Sequence, residues 1–200
     1  MDPIPLFPLS HGVFPDGLLQ LQIFEVRYLD LIRRCQREGS PFGVPWLTEG
    51  HEIQVPGHTP SLAAFGCTVE VVEVVEIQPA LLAVSCRGLR RFKLLDHELG
   101  AFGVWYGRVE WLPDDAPVEI PPDLLPLADQ LGQVIANAQK KGREDDLPLL
   151  RPYRLDECGW VANRWAEWLP LTLGDKVALL GCDDPLQRLR DLADKLGLDD

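Results

Sequence analysis

The chain changes its hydrophobic rhythm near the middle. In the first half the period is two. Val69, Val71, Glu73 and Val75 alternate with Glu70, Val72, Val74 and Glu76, a β-branched run that predicts a strand. Residues 80–86, 90–95 and 104–112 continue the pattern as three more strands. Residues 4–9 are apolar but carry Pro5 and Pro8 behind Pro3. Proline lacks the N–H of a central ladder position, so this segment is expected at an edge or at the opening of a barrel. One helix interrupts, over residues 24–38, where Tyr28, Leu31, Ile32 and Cys35 share a face and Gly39 supplies the stop. Short strands separated by Gly and Pro turns argue for an antiparallel barrel or sandwich.

At Pro113 the pattern breaks. Pro113, Pro117, Pro121 and Pro122, with two aspartates among them, read as a linker. Beyond it the period becomes helical. Leu127, Leu131, Val134, Ile135 and Ala138 form one stripe, which ends at Lys140 and Lys141 before Gly142. Cations there suit the negative end of the helix dipole. Residues 156–169 place Cys158, Val161, Ala162 and Trp165 on a second stripe, and residues 173–180 form a third short helix. The last helix has Asp184 as N-cap and Pro185 at the first helical position. Its stripe is Leu186, Leu189, Leu192, Ala193 and Leu196, closed by Gly197. The reading is an α+β chain: a β subdomain over residues 1–113 with one inserted helix, then a small helical bundle over residues 118–200.

Charge narrows the choice of partner. The formal net charge is −12 over 200 residues. Residues 1–113 hold 9 cations against 13 acids, and residues 114–200 hold 10 against 18. Such a surface repels a phosphate backbone, so nucleic acid is not the expected partner. Arg87, Arg90, Arg91 and Lys93 are the one basic cluster, read as a solvated strand edge defended by charge. The five cysteines are scattered without C-x-x-C spacing, so they read as small buried hydrophobes. No signal peptide and no apolar run of about 20 residues is present, which predicts a cytoplasmic protein without a membrane partner. Residues 198–200 are expected to be disordered.

Catalytic and metal motifs are missing. There is no phosphate-cradling glycine loop, and His97-Glu98 lacks the second histidine of a zinc helix. Ser10 and His11 are adjacent and point apart, so they read as a turn. His51 and His58 flank a Pro-Gly loop and read as solvated. Asp145-Asp146 and Asp183-Asp184 read as surface and cap features. The expectation is a chain without enzyme activity, cofactor or metal.

The segment Ile4-Pro5-Leu6-Phe7-Pro8-Leu9, then Val13-Phe14-Pro15, then Leu21-Gln22-Ile23-Phe24-Glu25-Val26-Arg27-Tyr28-Leu29, resembles the opening of the Lon protease N-terminal domain family. Phe42-Gly43-Val44, Gly66-Cys67-Thr68-Val69, Gly88-Leu89-Arg90-Arg91-Phe92, Tyr106 with Val109, the Trp165 to Leu180 region and Arg188-Leu189 extend it over nearly the whole chain. Two departures stand out: Asp16 where the family has a glycine, and Val26 where it has the proline of F-E-P-R-Y.

The resemblance implies a PUA-like pseudo-barrel followed by a helical bundle, in a stand-alone bacterial form without the ATPase and protease modules of full-length Lon. It also implies recognition of unfolded or exposed protein segments, with delivery to a protease in trans as a further possibility. An RNA-binding PUA-like module is the alternative. Phe14, Pro15, Trp46 and Trp105 are the peptide-binding candidates, with Trp46 and Trp105 expected to be partly exposed around a groove. Phe7, Pro8, Glu25, Arg27, Tyr28, Gly88, Arg91 and Phe92 carry the family signature and are read as structural: Glu25 at a helix start, Arg27 in a salt bridge and Tyr28 in the core.

Overall fold

The structure is a computed structural model that describes residues 2–52 and 59–197. The chain divides into two compact units, residues 1–112 and 113–200. Among the described residues the first holds a six-stranded sheet and one α-helix, and the second holds four α-helices.

In the sheet unit the strands are β1 (Ile4–Leu6), β2 (Leu18–Ile23), β3 (Phe42–Glu49), β4 (Ser61–Gln78), β5 (Leu81–Leu99) and β6 (Trp105–Trp111), with α1 (Val26–Glu38) between β2 and β3. The sheet order is β2-β5-β4-β3-β1-β6, and β6 pairs again with β5. β5 is the organising element. Its first half pairs with β2, from Leu82 opposite Ile23 to Arg87 opposite Leu18. Its second half pairs with β6, from Phe92 opposite Trp111 to Leu99 opposite Trp105. The two strands expected at 80–86 and 90–95 are therefore one, running straight through Gly88.

Gly88 marks a close approach rather than a turn. A Cβ built there would lie 2.0 Å from the carbonyl oxygen of Phe14. The 14–17 loop is tied on at this point: Asp16 N–H donates to Gly88 O at 2.8 Å, and Gly88 N–H donates to Gly17 O at 2.9 Å. Asp16 itself takes φ +61°, the left-handed backbone that a glycine adopts without penalty. The departure from the family glycine thus leaves an aspartate, one of the tolerant residue types, in that conformation.

The arginine cluster is not at an edge, because β5 is paired on both sides. Arg91 points inward and is buried, whereas Arg90 and Lys93 are exposed. β1 is no edge either. It pairs with β3 in parallel and with β6 antiparallel, although its prolines hold it to three residues. The simple alternation expected along β4 is broken by a register shift between Val71 and Glu73. The extra residue resets the phase, so Val71 and Val74 pack on the core while Val72 and Val75 face solvent. Pro79 and Ala80 turn the β4–β5 hairpin, with Ala80 at φ +63°.

Helix α1 starts two residues later than its apolar face suggests. Glu25 sits at the N-cap in extended backbone, and Val26 is the first helical residue. Tyr28, Leu29, Leu31, Ile32 and Cys35 bury its inner face against Phe7, Phe42, Val44, Val69 and Val84. Gly39 ends it at φ +62°. A second cluster, Leu6, Phe92, Trp105 and Val109, fills the other side of the sheet.

The helical unit consists of α2 (Leu125–Lys140), α3 (Cys158–Trp168), α4 (Leu173–Gly181) and α5 (Pro185–Leu196). Asp184 caps α5, its Oδ1 accepting from Leu186 N–H at 2.9 Å, and Gly197 closes that helix at φ +67°. In α2 the buried stripe is Leu127, Ala128, Leu131 and Ile135. Val134, expected on it, stands at the flank of that face and is exposed.

The proline-rich stretch 113–122 is not a loose linker. Val118 O accepts from Cys158 N–H at 2.8 Å, and Glu119 bridges to Glu157. Asp115 receives a two-pronged bond from the fully buried Arg188, at 2.5 and 2.9 Å. Arg188 also donates to Asn163 Oδ1 and Cys182 O. Cys35, Cys67, Cys86 and Cys158 are buried free thiols, and Cys182 is half-buried. His58 and residues 198–200 lie outside the described residues.

Candidate functional site

Alternation along β2 sends Leu19, Leu21 and Ile23 into the core and leaves Gln20 and Gln22 exposed. Four consecutive residues, Gln20, Leu21, Gln22 and Ile23, nevertheless line a single cleft of about 240 Å³. Successive side chains point to opposite faces of a strand, so a cleft touching all four meets the strand side-on, at its backbone edge. That edge is open: among the described residues β2 has a ladder with β5 alone.

The opposite wall comes from three segments. Phe7, Leu9 and His11 follow β1, Phe24 and Glu25 lead into α1 with Tyr28 in its first turn, and Glu52 follows β3. Phe7 stacks on Tyr28 with ring centroids 3.8 Å apart, which packs the base of the cleft. Burial raises the pKa of the Tyr28 hydroxyl above its ordinary value, so it remains protonated.

Arg27 fastens this wall from behind. Its Nε donates to Glu25 Oε2 at 3.0 Å, its two terminal nitrogens donate to Gly103 O at 2.8 Å and Glu52 O at 3.3 Å, and its guanidinium lies 4.4 Å from the Tyr28 ring centre. Glu52 is fixed from a third side, with Oε1 accepting from Ser10 N–H at 2.6 Å and Ser10 Oγ at 2.5 Å. One buried guanidinium thus serves the acceptors of three loops, while two carboxylates, Glu25 and Glu52, remain at the cleft. Phe24 lies on the rim at 57% exposure.

The four expected binding residues do not form a surface together. Trp46 and Trp105 are 2% and 7% exposed, so the expectation of partial exposure around a groove is corrected. Trp46 is covered by Phe14, edge-on at 5.9 Å, and by Gly12, where a Cβ would stand 2.2 Å from the indole. Trp105 belongs to the cluster of Leu6 and Phe92, with His97 edge-on to it at 5.5 Å. Phe14 is buried and Pro15 half-buried. Of the signature residues, Phe7, Glu25 and Tyr28 meet at the cleft with Arg27 behind them. Pro8 is buried beside them in sequence, and Gly88, Arg91 and Phe92 lie along β5. Sequence reasoning missed Gln20, Gln22 and Glu52. The L-Q-L-Q-I alternation of β2 was the available signal for the first two; nothing local marks the third. Among the described residues no group of His, Cys, Asp and Glu could hold a metal ion, and no helix is long and apolar enough to cross a membrane.

An α+β architecture whose sheet unit has an open strand edge beside aromatic side chains has the geometry on which extended segments dock in other folds. Residues 3–196 match the family described as the ATP-dependent protease La (LON) substrate-binding domain, and the chain belongs to that family. It is similar to the crystal structure of a Lon N-terminal domain protein from Xanthomonas campestris, with 32% identity, a TM-score of 0.73, and coverage of 97% of this chain and 98% of that one. It also shares its fold with the N-terminal domain of Mycobacterium avium complex Lon protease, at 17% identity and a TM-score of 0.60, covering 96% and 97% of the two chains. Among curated proteins none matches.

Proposed function

We propose that this chain binds exposed or unfolded segments of other proteins and performs no chemistry on them. Its family is named for substrate binding, and the observation that carries the reading here is the cleft, which joins an apolar wall to an open strand edge. On this reading the sheet unit is a PUA-like pseudo-barrel, and Phe14, Trp46 and Trp105 support the loops around the cleft from within. The bound segment is available in the cytoplasm for hand-over to a protease in trans.

Titration with a reduced, carboxymethylated globular protein tests the proposal, with the native form of the same protein as control. Saturable binding of the unfolded form alone, tighter than about 1 mM, is expected. Equal binding of both forms, or none, overturns it. Single-stranded RNA at low salt is expected to show no shift, because phosphate affinity needs a cationic excess and here 31 acids outnumber 19 cations.

A further inference from the structure

We infer that the bound segment enters as an added β-strand on the open edge of β2, and that it is an apolar segment carrying a cationic side chain. This rests on the segment-binding reading above and specifies its geometry and chemistry.

Three observations carry the inference. The first is that the cleft meets Gln20, Leu21, Gln22 and Ile23 in succession while β2 is paired with β5 on its other side. Alternate N–H and C=O groups of an antiparallel strand point to each edge, so those on the open side face the cleft as a ready ladder. An extended segment satisfies them without regard to its sequence, as a recogniser of varied protein segments requires.

The second is the wall that would receive the segment's side chains. Phe24, 57% exposed, offers apolar surface at the rim, with Phe7, Leu9 and Tyr28 closing the base behind it, and the cleft volume of 240 Å³ is that of about eight waters. Burying alternate apolar side chains there supplies the affinity that main-chain bonds alone do not.

The third is charge. Glu25 and Glu52 stand at the cleft; the buried Arg27 pairs with the Glu25 carboxylate, whereas the Glu52 carboxylate accepts from the neutral Ser10 N–H and Oγ. An anionic segment is repelled, and a Lys or Arg on the segment finds a carboxylate.

The probe is a synthetic peptide of about eight residues, alternating valine and threonine behind two lysines, a length matched to a strand of this size. Two further versions carry backbone N-methyl groups on the odd or on the even amides. Strand addition requires that one methylated version lose at least about tenfold in affinity while the other stays within about twofold, since only alternate amides face β2. Replacing both lysines by aspartates is expected to weaken binding about fivefold at low salt, an effect that shrinks as salt rises. Amide exchange at residues 20–23 should slow on peptide addition.

Equal effects of the two methylation patterns, or binding without protection of residues 20–23, overturn strand addition and leave the segment-binding reading standing. Failure of every peptide and of the unfolded protein overturns both. Protection of residues 20–23 that rises with protein concentration in the absence of peptide shows a second copy of this chain on the edge, and overturns the proposed occupant.

Discussion

The two units keep their shape by different means. The sheet unit, although the buried Arg27 fastens three of its loops, fills its cores by close approach: Gly88 admits the Phe14 carbonyl, Gly12 admits the Trp46 ring, and its core clusters are apolar. The helical unit relies on a buried charge. Arg188, with no solvent exposure, gathers Asp115, Asn163 and Cys182 O, and so ties the start of the unit to its last helix. A packed unit should be most sensitive to added volume, and a unit pinned by an ion pair to loss of one partner.

The largest expected effect is at that pair. Arg188→Met leaves the Asp115 carboxylate in a largely buried site without its cation and should destabilise the helical unit by about 3 kcal/mol, read by denaturant melts and by amide exchange in α5. Adding Asp115→Leu to the same chain should restore much of the loss, because two apolar residues no longer strand a charge. If the double variant is as weak as the single one, the pair holds geometry rather than charge.

Next comes Gly88→Val, which drives a side chain into the Phe14 carbonyl and should lower the stability of the sheet unit by about 1–3 kcal/mol or more. A smaller loss, roughly 1 kcal/mol, is expected for Asp184→Ala, which removes the cap from Leu186 and Gln187 N–H. Val26→Pro should act in the other direction. Val26 is the first helical residue, is exposed, and follows Glu25 in extended backbone, so proline fits and should stabilise by about 0.4–1 kcal/mol. Thermal melts of these variants check both values.

The weakest effects come from pH, and they divide the units by degree. In the helical unit, Lys195 and then Thr172 hold the Asp175 carboxyl below the usual range, and Tyr153, then Arg151, do the same for Glu144. A depressed carboxyl adds stability above the ordinary carboxylate pKa, and this is lost as pH falls through the folded value. In the sheet unit, burial pushes the Cys86 thiol up to about 12 and raises Cys35. Raised groups stabilise below the ordinary thiol pKa, and the contribution fades as pH climbs toward the folded value. Arg108 holds Asp96 of the sheet unit down as well, so melts followed by a probe in each unit should show the helical unit, with two such carboxyls, losing more in acid and the sheet unit losing more on the alkaline side. Burial also raises Cys158, so the alkaline contrast is one of degree.

Much of the helical half was legible because its signals are local. Asp184, Pro185 and Gly197 delimit α5 within a dozen residues, and the periodicity of the α3 and α4 segments needs nothing distant. What escaped depends on partners far away in sequence. Arg188 reads as one more charge on an amphipathic helix until Asp115, 73 residues earlier, is set beside it. Gly88 reads as a turn until the Phe14 carbonyl is seen to need the space. The phase of β4 is reset by a single extra residue, which no alternation rule anticipates.

The cleft was half visible. Phe7, Glu25 and Tyr28 stood out from the resemblance, yet β2, which makes them one wall of a cleft, was absorbed into the same motif and not seen as a strand. Tryptophan drew attention to Trp46 and Trp105 because it serves cores and interfaces alike, and in both places the core has it.

The buried free thiols give each unit its own clock. Cys35, Cys67 and Cys86 lie in the sheet unit and Cys158 in the helical unit, all shielded from solvent. An alkylating reagent reaches such a sulfur only while its surroundings are open, so the labelling rate at each position reports how often that region opens under native conditions. Mass spectrometry of peptides bearing the four sulfurs would time the two units side by side in one sample, with no mutation introduced. The same measurement with an unfolded client present would show which unit is quieted by binding.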